Sequence, residues 1–454
     1  EAVSSNGAAV LGSSRGIESV FEYVKRDGTK IVFSAGNNKI FTGTSTLAAV
    51  TLPSGYSISA NNWKIVSFNN DVYFFQRGHA ALVSVAGSTT LIAVADGGTA
   101  APAANEVLAA YGRLWAADIT ANKYVVYWSD LLDGDDWHGG SSGSLDLTLV
   151  WPTGFDEVVA LAAHNNFLII FGKKSMLVYS GASSPASMTL ADTVEGVGCI
   201  ARDSVQHTGT DILFLSETGV RSFGRTIQEK SMPMRDISKN IRTDLLSLIS
   251  LQTNAIKSLY SSEEAFYLLT LPDSNTVYCF DMRRQLEDGS NRVTTWSSMY
   301  PLSFVSLEGG AIYIGISSGI VEYKNYMDGA VKYEMRYFSN PMDFGNTSNL
   351  KFLKKFNLTI IGGQNTPTTL NWGYDYSAGF TKQAFTFSSS NIAEYGLAQY
   401  NTTGEYTSSI LINTPKVNTS GSGEVATIGI EAEVNGAAFS IQKIDIHALL
   451  GRLI

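Results

Sequence analysis

One unit of apolar strands and tight polar turns recurs along most of this chain, and that recurrence limits the fold more than any other feature. The aromatic and β-branched strands at its centre begin near residues 30, 72, 114, 167, 212, 265 and 311, at spacings of 42–53 residues. In one copy, Ile65-Val-Ser-Phe68 and Val72-Tyr-Phe-Phe75 flank Asn69-Asn-Asp71; in another, Val158-Val-Ala-Leu161 and Phe167-Leu-Ile-Ile-Phe171 flank His164-Asn-Asn166. A period of about 40–50 residues with three or four short strands is that of a β-propeller blade. A small sheet cannot bury both faces alone, so such units stack around an axis. The near-continuous apolar runs fit strands covered on both faces, and a β-solenoid has a shorter period.

Two segments interrupt the rhythm. Residues 130–157 hold Asp133-Gly-Asp-Asp-Trp137 and Gly139-Gly-Ser-Ser-Gly143, which read as a long loop. Residues 225–251 hold Met232-Pro-Met-Arg-Asp236 and then Ile237, Ile241, Leu245 and Leu248 at helical spacing. That spacing predicts a helix over Ile237–Ile249 with Asp236 as N-cap. The repeat stops near Asp328, and strands such as Phe356–Ile361 and Ala426–Ala432 follow. The sequence therefore predicts an all-β chain: an N-terminal arm (1–16), a β-propeller (17–328) and a β-sandwich (329–454).

Composition narrows the function. Charged residues are 16% of the chain, against about 25% in ordinary soluble proteins. The surface must then be rich in Ser, Thr, Asn and Gly, or be covered by partners. A net charge of −9 argues against an electrostatic grip on nucleic acid, though not against nucleic acid passing by. Cys199 and Cys279 cannot make a disulfide framework or a zinc site and are expected as buried thiols in strands. No apolar run reaches the ~18 residues of a membrane span, and Glu1–Ser14 lacks the pattern of a signal peptide.

Catalytic signatures are missing from the sequence. His79, His138, His164, His207 and His447 do not cluster, and neither a nucleophile elbow nor a phosphate loop appears. No cofactor, metal site or enzymatic activity is expected. The acidic segment Asp130, Asp133, Asp135 and Asp136 lacks the ligand alternation of a calcium loop. A carboxylate pair assembled in space would still suit a glycosidase. Basic residues bunch at Arg221, Arg225, Lys230, Arg235, Lys239 and Arg242, diluted by Glu229, Asp236 and Asp244, a pattern that favours a protein contact over nucleic acid. Asn346, Asn357, Asn401 and Asn418 head Asn-x-Ser/Thr triplets, which a Ser/Thr-rich segment produces by chance.

One set of motifs resembles a known family. Trp137 with Gly143-Ser-Leu-Asp-Leu147, Gly154-Phe-Asp156 before Val158, Phe167–Phe171 and Ser175-Met-Leu-Val-Tyr179 is similar to the central segment of tail nozzle proteins (tail tubular protein B) of short-tailed bacteriophages. Gly196-Val-Gly198, Ile212–Ser216, Thr218-Gly-Val220, Asp236-Ile-Ser238 with Ile241, and Met342-Asp-Phe-Gly345 with Lys351 and Lys354 continue the likeness over roughly residues 130–360. The resemblance implies a non-enzymatic virion component, assembled in the host cytoplasm. It would form a homo-hexameric tube below an adaptor ring, in contact with tail fibres or a needle, and conduct DNA during ejection without binding it specifically. It also implies six blades per subunit, where the sequence shows seven units, and a β platform made by the C-terminal sandwich. A platform segment usual at the N-terminus of such proteins is not seen ahead of the first unit.

Two expectations about sites follow. Asp130, Asp133, Asp135 and Asp136 are candidates for a loop facing the tube's lumen. Arg225, Lys230, Arg235, Lys239, Ile241 and Arg242 are candidates for a subunit or adaptor contact. The rival expectation is a propeller tail protein that binds or cleaves glycans.

Overall fold

A computed structural model describes residues 16–453, apart from 153, 229–235, 325, 329–330, 347, 364–365, 378, 387–391, 394–404 and 407–411. All but the last residue of the expected arm, 1–16, lie outside the described residues. The chain divides between Tyr323 and Lys324 into two compact units.

The first unit contains seven antiparallel sheets of three or four strands that follow one another along the sequence, and a two-stranded hairpin, Ala95–Asp96 with Thr99–Ala100, between the second and third. The first strands of the seven sheets are Ile17–Val24, Lys64–Phe68, Ala104–Ala110, Val158–His164, Gln206–His207, Lys257–Ser261 and Ser303–Ser306. The first, second, third, fourth and sixth sheets have four strands; the fifth and seventh have three. Each sheet is a meander, because every connection within it joins neighbouring strands.

Alternation along the second strands explains how these sheets stack. Val72 and Phe74 enter the apolar cluster shared with the first sheet, whereas Tyr73 and Phe75 enter the one shared with the third. Leu168 and Ile170 pack towards the third sheet, and Ile169 and Phe171 towards the fifth. Leu213, Leu215, Tyr267 and Leu269 fill the next joint, and Phe266 and Leu268 meet Ile312 and Ile314 in the one after. The ring closes where Ile320 of the seventh sheet meets Ile17 and Phe41 of the first. Sheets stacked face to face in a closed ring form a β-propeller. The count is seven sheets rather than the six implied by resemblance: each of the seven repeated units makes its own sheet and its own two joints.

Tight turns come from asparagine. Asn69 and Asn70 have φ of 46° and 73°, and Asn165 and Asn166 have φ of 48° and 65°. Two successive left-handed residues make the hairpin turn whose twist matches the strands, and asparagine tolerates that conformation.

Three local expectations are corrected. The segment 130–157 is not all loop, since Gly143–Asp146 pairs with Val125–Trp128 as the fourth strand of its sheet. The helix expected at Ile237–Ile249 starts later: Lys239–Ile241 is a 3₁₀ turn, the α-helix is Arg242–Ile249, and its N-cap is Ile241 rather than Asp236. Ile237 instead extends past the helix and donates its N–H to the Val220 carbonyl at 3.0 Å, holding the outer strand of the fifth sheet. A second helix, Phe223–Gln228, was not anticipated; it follows that strand directly. Finally, Cys199 is buried in a connection rather than a strand, while Cys279 lies in the strand Thr276–Gln285 and is only partly buried.

Among its described residues the second unit is also all-β. Tyr333–Phe338, Ala426–Val434, Thr368–Tyr374 and Thr381–Phe385 form one sheet in that order. Asn349–Gly362 pairs along its length with Phe439–Leu453 and, elsewhere, with Ile412–Asn413 and Lys416–Asn418. Leu353, Phe356, Leu358 and Ile360 pack on Leu370, Trp372, Ile428 and Ile430, so the two sheets face each other across one core.

The turn geometry makes a prediction. Asn166 is exposed, so substitution there tests backbone conformation rather than packing. Asn166→Val should lower stability by about 1–3 kcal/mol, whereas Asn166→Gly should leave it level or higher. Urea unfolding of the two variants checks this.

Candidate functional site

The first strands of the seven sheets line the axis of the ring. Charged residues enter it near the starts of these strands and in the connections before them: Lys64, Glu106, Arg202, Asp203 and Lys257. Arg202 is the centre of the group. Its Nε and Nη2 donate to the Asp203 carboxylate at 3.0 and 2.7 Å, Nη2 also donates to Asn62 Oδ1 at 2.7 Å, and Nη1 donates to Asn105 Oδ1 at 3.0 Å. Lys257 Nζ donates to Asp203 Oδ2 at 2.8 Å and to Asn62 Oδ1. Lys64 Nζ lies 3.3 Å from Glu106 Oε2 and 3.8 Å from Asp203 Oδ1. The Leu161 N–H donates to Glu106 Oε1 at 3.3 Å. One guanidinium and one carboxylate thus tie together segments from the second, third, fifth and sixth sheets.

Burial makes these contacts strong and costly. Side-chain exposure is 6% for Arg202, 2% for Glu106 and 8% for Lys257. Burial alone would raise the Asp203 carboxyl, but Arg202, Lys257 and Lys64 outweigh it and hold it far below the usual carboxylate range. Burial pulls Lys257 down to about 8 despite the attraction of Asp203. For Glu106 burial prevails over Lys64 and Arg202, and its carboxyl is raised.

A cavity of about 130 Å³ opens beside this group, walled by Glu18, Trp63, Lys64, Gln206, Lys257 and Phe304 among others. Among the described residues, the cations Lys64, Arg202 and Lys257 lie against the carboxylates of Glu106 and Asp203, so the group carries its own counter-charges. Its chemistry is that of a polar keystone.

The acidic residues singled out in the sequence are brought together elsewhere. Asp130 accepts from the Ser141 N–H at 2.8 Å and hydroxyl at 2.6 Å, and lies 3.8 Å from Arg113. Asp133 Oδ1 accepts the N–H groups of Asp135 and Asp136 at 2.9 and 3.3 Å. Asp136 Oδ1 accepts those of His138 and Gly139 at 3.0 and 2.7 Å. Asp135 is half-buried, and its carboxyl is raised by burial and then by Asp133. Their loop folds over the hairpin turns of two sheets: the Leu132 N–H donates to the Gly112 carbonyl at 2.8 Å, and Asn69 Nδ2 donates to the Leu132 carbonyl at 3.0 Å. These residues are distinct from the axial group. Asp96, from the hairpin between the second and third sheets, joins Asp136 and His138 so that one ligating atom of each lies within 4.8 Å of the others. Sequence inspection missed this grouping because Asp96 is remote in the chain.

The basic residues make contacts within the chain. Arg225 Nη1 donates to the Gly289 carbonyl at 3.3 Å, and Lys239 lies 3.5 Å from Asp288, both on one turn of the sixth sheet. Arg242 is 3.9 Å from Asp236. Ile241 packs beside Leu245 in the joint between the fifth and sixth sheets. Lys230 and Arg235 lie outside the described residues.

No protein-family model and no curated protein matches the sequence. Solved structures similar to it include the computationally designed Ika8 protein, at 12% identity over 67% of this chain and 82% of that one, with a TM-score of 0.39. The WD40 β-propeller domain of Doa1 is similar at 10% identity, covering 68% of this chain and 96% of that domain, with a TM-score of 0.39. BamB from Moraxella catarrhalis is similar at 9% identity, covering 66% and 82% of the two chains, with a TM-score of 0.40.

The keystone makes stability depend on pH. Asp203 has a folded pKa below its unfolded one, so its stabilisation is present above about pH 4 and is lost as pH falls. Lys257 is also depressed, so the unfolded chain holds more protons between about pH 8 and 10, and this group adds stability as pH rises through that window. Urea midpoints should fall from pH 5 to pH 3. Asp203→Asn should lower stability at pH 7 by about 3–5 kcal/mol and flatten the acid limb. An acid limb as steep as that of the parent would show that Asp203 is not its source.

Proposed function

We propose that the chain is the tail nozzle subunit of a short-tailed bacteriophage, a structural virion protein that assembles as a homo-hexamer below an adaptor ring and conducts DNA during ejection. The observation that carries this reading is the run of motifs from Trp137 to Lys354, which resembles the central segment of that family. A ring of blade sheets followed by a second β unit is consistent with it. In this reading the sandwich is the platform towards the adaptor, and the basic residues with Ile241 face a neighbouring subunit or the adaptor.

Arg202, Asp203 and Lys257 are bonded across the axis of one ring, so in this reading DNA passes through an opening enclosed by six copies rather than through a propeller. Six chains at −9 carry −54 between them. Such a field keeps a duplex off the wall, where rows of cations would brake it. The loop of Asp130, Asp133, Asp135 and Asp136 is the acidic element assigned to that lumen.

Mass photometry of the purified chain, alone and with the adaptor ring, should give particles of about six times 48.9 kDa in at least one condition. A chain that stays monomeric in both, and that binds or cleaves polysaccharide, would overturn the proposal in favour of a glycan-directed tail protein.

A further inference from the structure

The seven joints of the ring are unequal. Among the described residues, the joint between the third and fourth sheets buries thirteen apolar side chains, and that between the first and second buries twelve. The joint between the sixth and seventh sheets buries six: Leu259, Phe266, Leu268, Val277, Ile312 and Ile314. The joint between the seventh and first buries four: Ile17, Phe41, Leu47 and Ile320. Counted by buried apolar side chains, the seventh sheet is thus held by the two smallest joints in the ring, although the backbones of the seventh and first sheets come close together.

Two other observations weaken the closing joint. Every other pair of neighbouring sheets is linked directly by the chain. Here the contacting segments are far apart in sequence, as in the 2.8 Å bond from the Ser303 hydroxyl to the Ile17 carbonyl. Closing so long a loop costs entropy that the joint's contacts must offset. Its outer part relies on polar surface contacts: Lys30 pairs with Glu308 at 3.3 Å, with side chains 43% and 67% exposed. Exposed pairs of this kind contribute little.

Near the axis the backbones touch through glycine. A Cβ on Gly315 would lie 2.4 Å from the Ile17 carbonyl oxygen and 2.2 Å from Ser303 Oγ. Gly315 belongs to the strand Ile312–Ile316, so any side chain there wedges this one joint.

We infer that the seventh sheet is the detachable element of the ring: it parts from the first sheet and unfolds locally while the second to fifth sheets stay packed. Local opening draws on the least-buried parts of a structure, and a three-stranded sheet stripped of its facing layers has little independent stability. The chain leaves this sheet at Tyr323 for the second unit, so tension applied through residues 324–454 loads the seventh sheet first.

Hydrogen exchange with mass spectrometry on the full chain tests this. Under native conditions the amides of Ile312–Ile316 should exchange at least tenfold faster than those of Phe167–Gly172, which hold the same second position in the fourth sheet. Gly315→Ala should speed exchange in the seventh sheet a further tenfold and leave Phe167–Gly172 unchanged. Phe41→Ala, which trims the same joint from the other side, should do likewise; if Gly315→Ala fails to fold, this variant and the parent chain decide. Equal protection of all seven sheets, or earlier opening at Ile212–Ser216, would overturn the inference.

Discussion

Everything in the first unit depends on sheets that are apolar on both faces. Val72 and Phe74 face one neighbour while Tyr73 and Phe75 face the other, so the second sheet has no side that water could cover cheaply. Leaving one such face exposed forfeits about 1.5–3 kcal/mol for each large side chain. No sheet is complete by itself, and the only arrangement that satisfies both faces of every sheet without an end is a closed ring. Hydrogen bonding shapes each sheet as a meander; burial on two faces makes seven of them one body.

Closure creates a second problem at the axis, where seven strand starts converge and bring polar backbone with them. Arg202 and Asp203 meet it by bonding to Asn62, Asn105 and Lys257 from other sheets. Such a group is not a cheap source of stability, because its ions have been taken out of water. What it adds is directionality. Apolar joints tolerate sliding, whereas the bonds from Arg202 to Asn62 and Asn105 and from Lys257 to Asp203 have fixed directions and set the phase of one sheet against another.

Much of this was legible in the sequence, and the parts that were not share a cause. The period of the unit marked the sheets, because hydrophobic runs and asparagine turns are local signals. The number of blades was correctly visible as seven units, and only the resemblance pulled it to six. The helix was displaced because Ile237, although in helical phase with Ile241 and Leu245, is used to pair with Val220. Gly143–Asp146 was hidden by the glycines and serines around it, its pairing with Val125–Trp128 being a tertiary fact. The axial group was missed altogether. A faint signal existed: Lys64, Glu106, Asp203 and Lys257 are charges set close to the starts of apolar units, a phase that aligning the units would have exposed.

The outermost strands bear on the behaviour of the protein at high concentration. In the first and second sheets the fourth strand is only two residues long, Ala48–Ala49 and Ile92–Ala93. In the fourth and sixth sheets it is Thr189–Glu195 and Asn291–Trp296, seven and six residues long. Short edges give a second chain little backbone to pair with, and long ones give it a template. Within the first unit the longest such edges are therefore these two, and both carry charge, at Asp192 and Glu195 in one and Arg292 in the other. Their opposite signs make edge-to-edge encounters of like strands repulsive and leave the mixed pairing as the one these two edges favour between crowded chains.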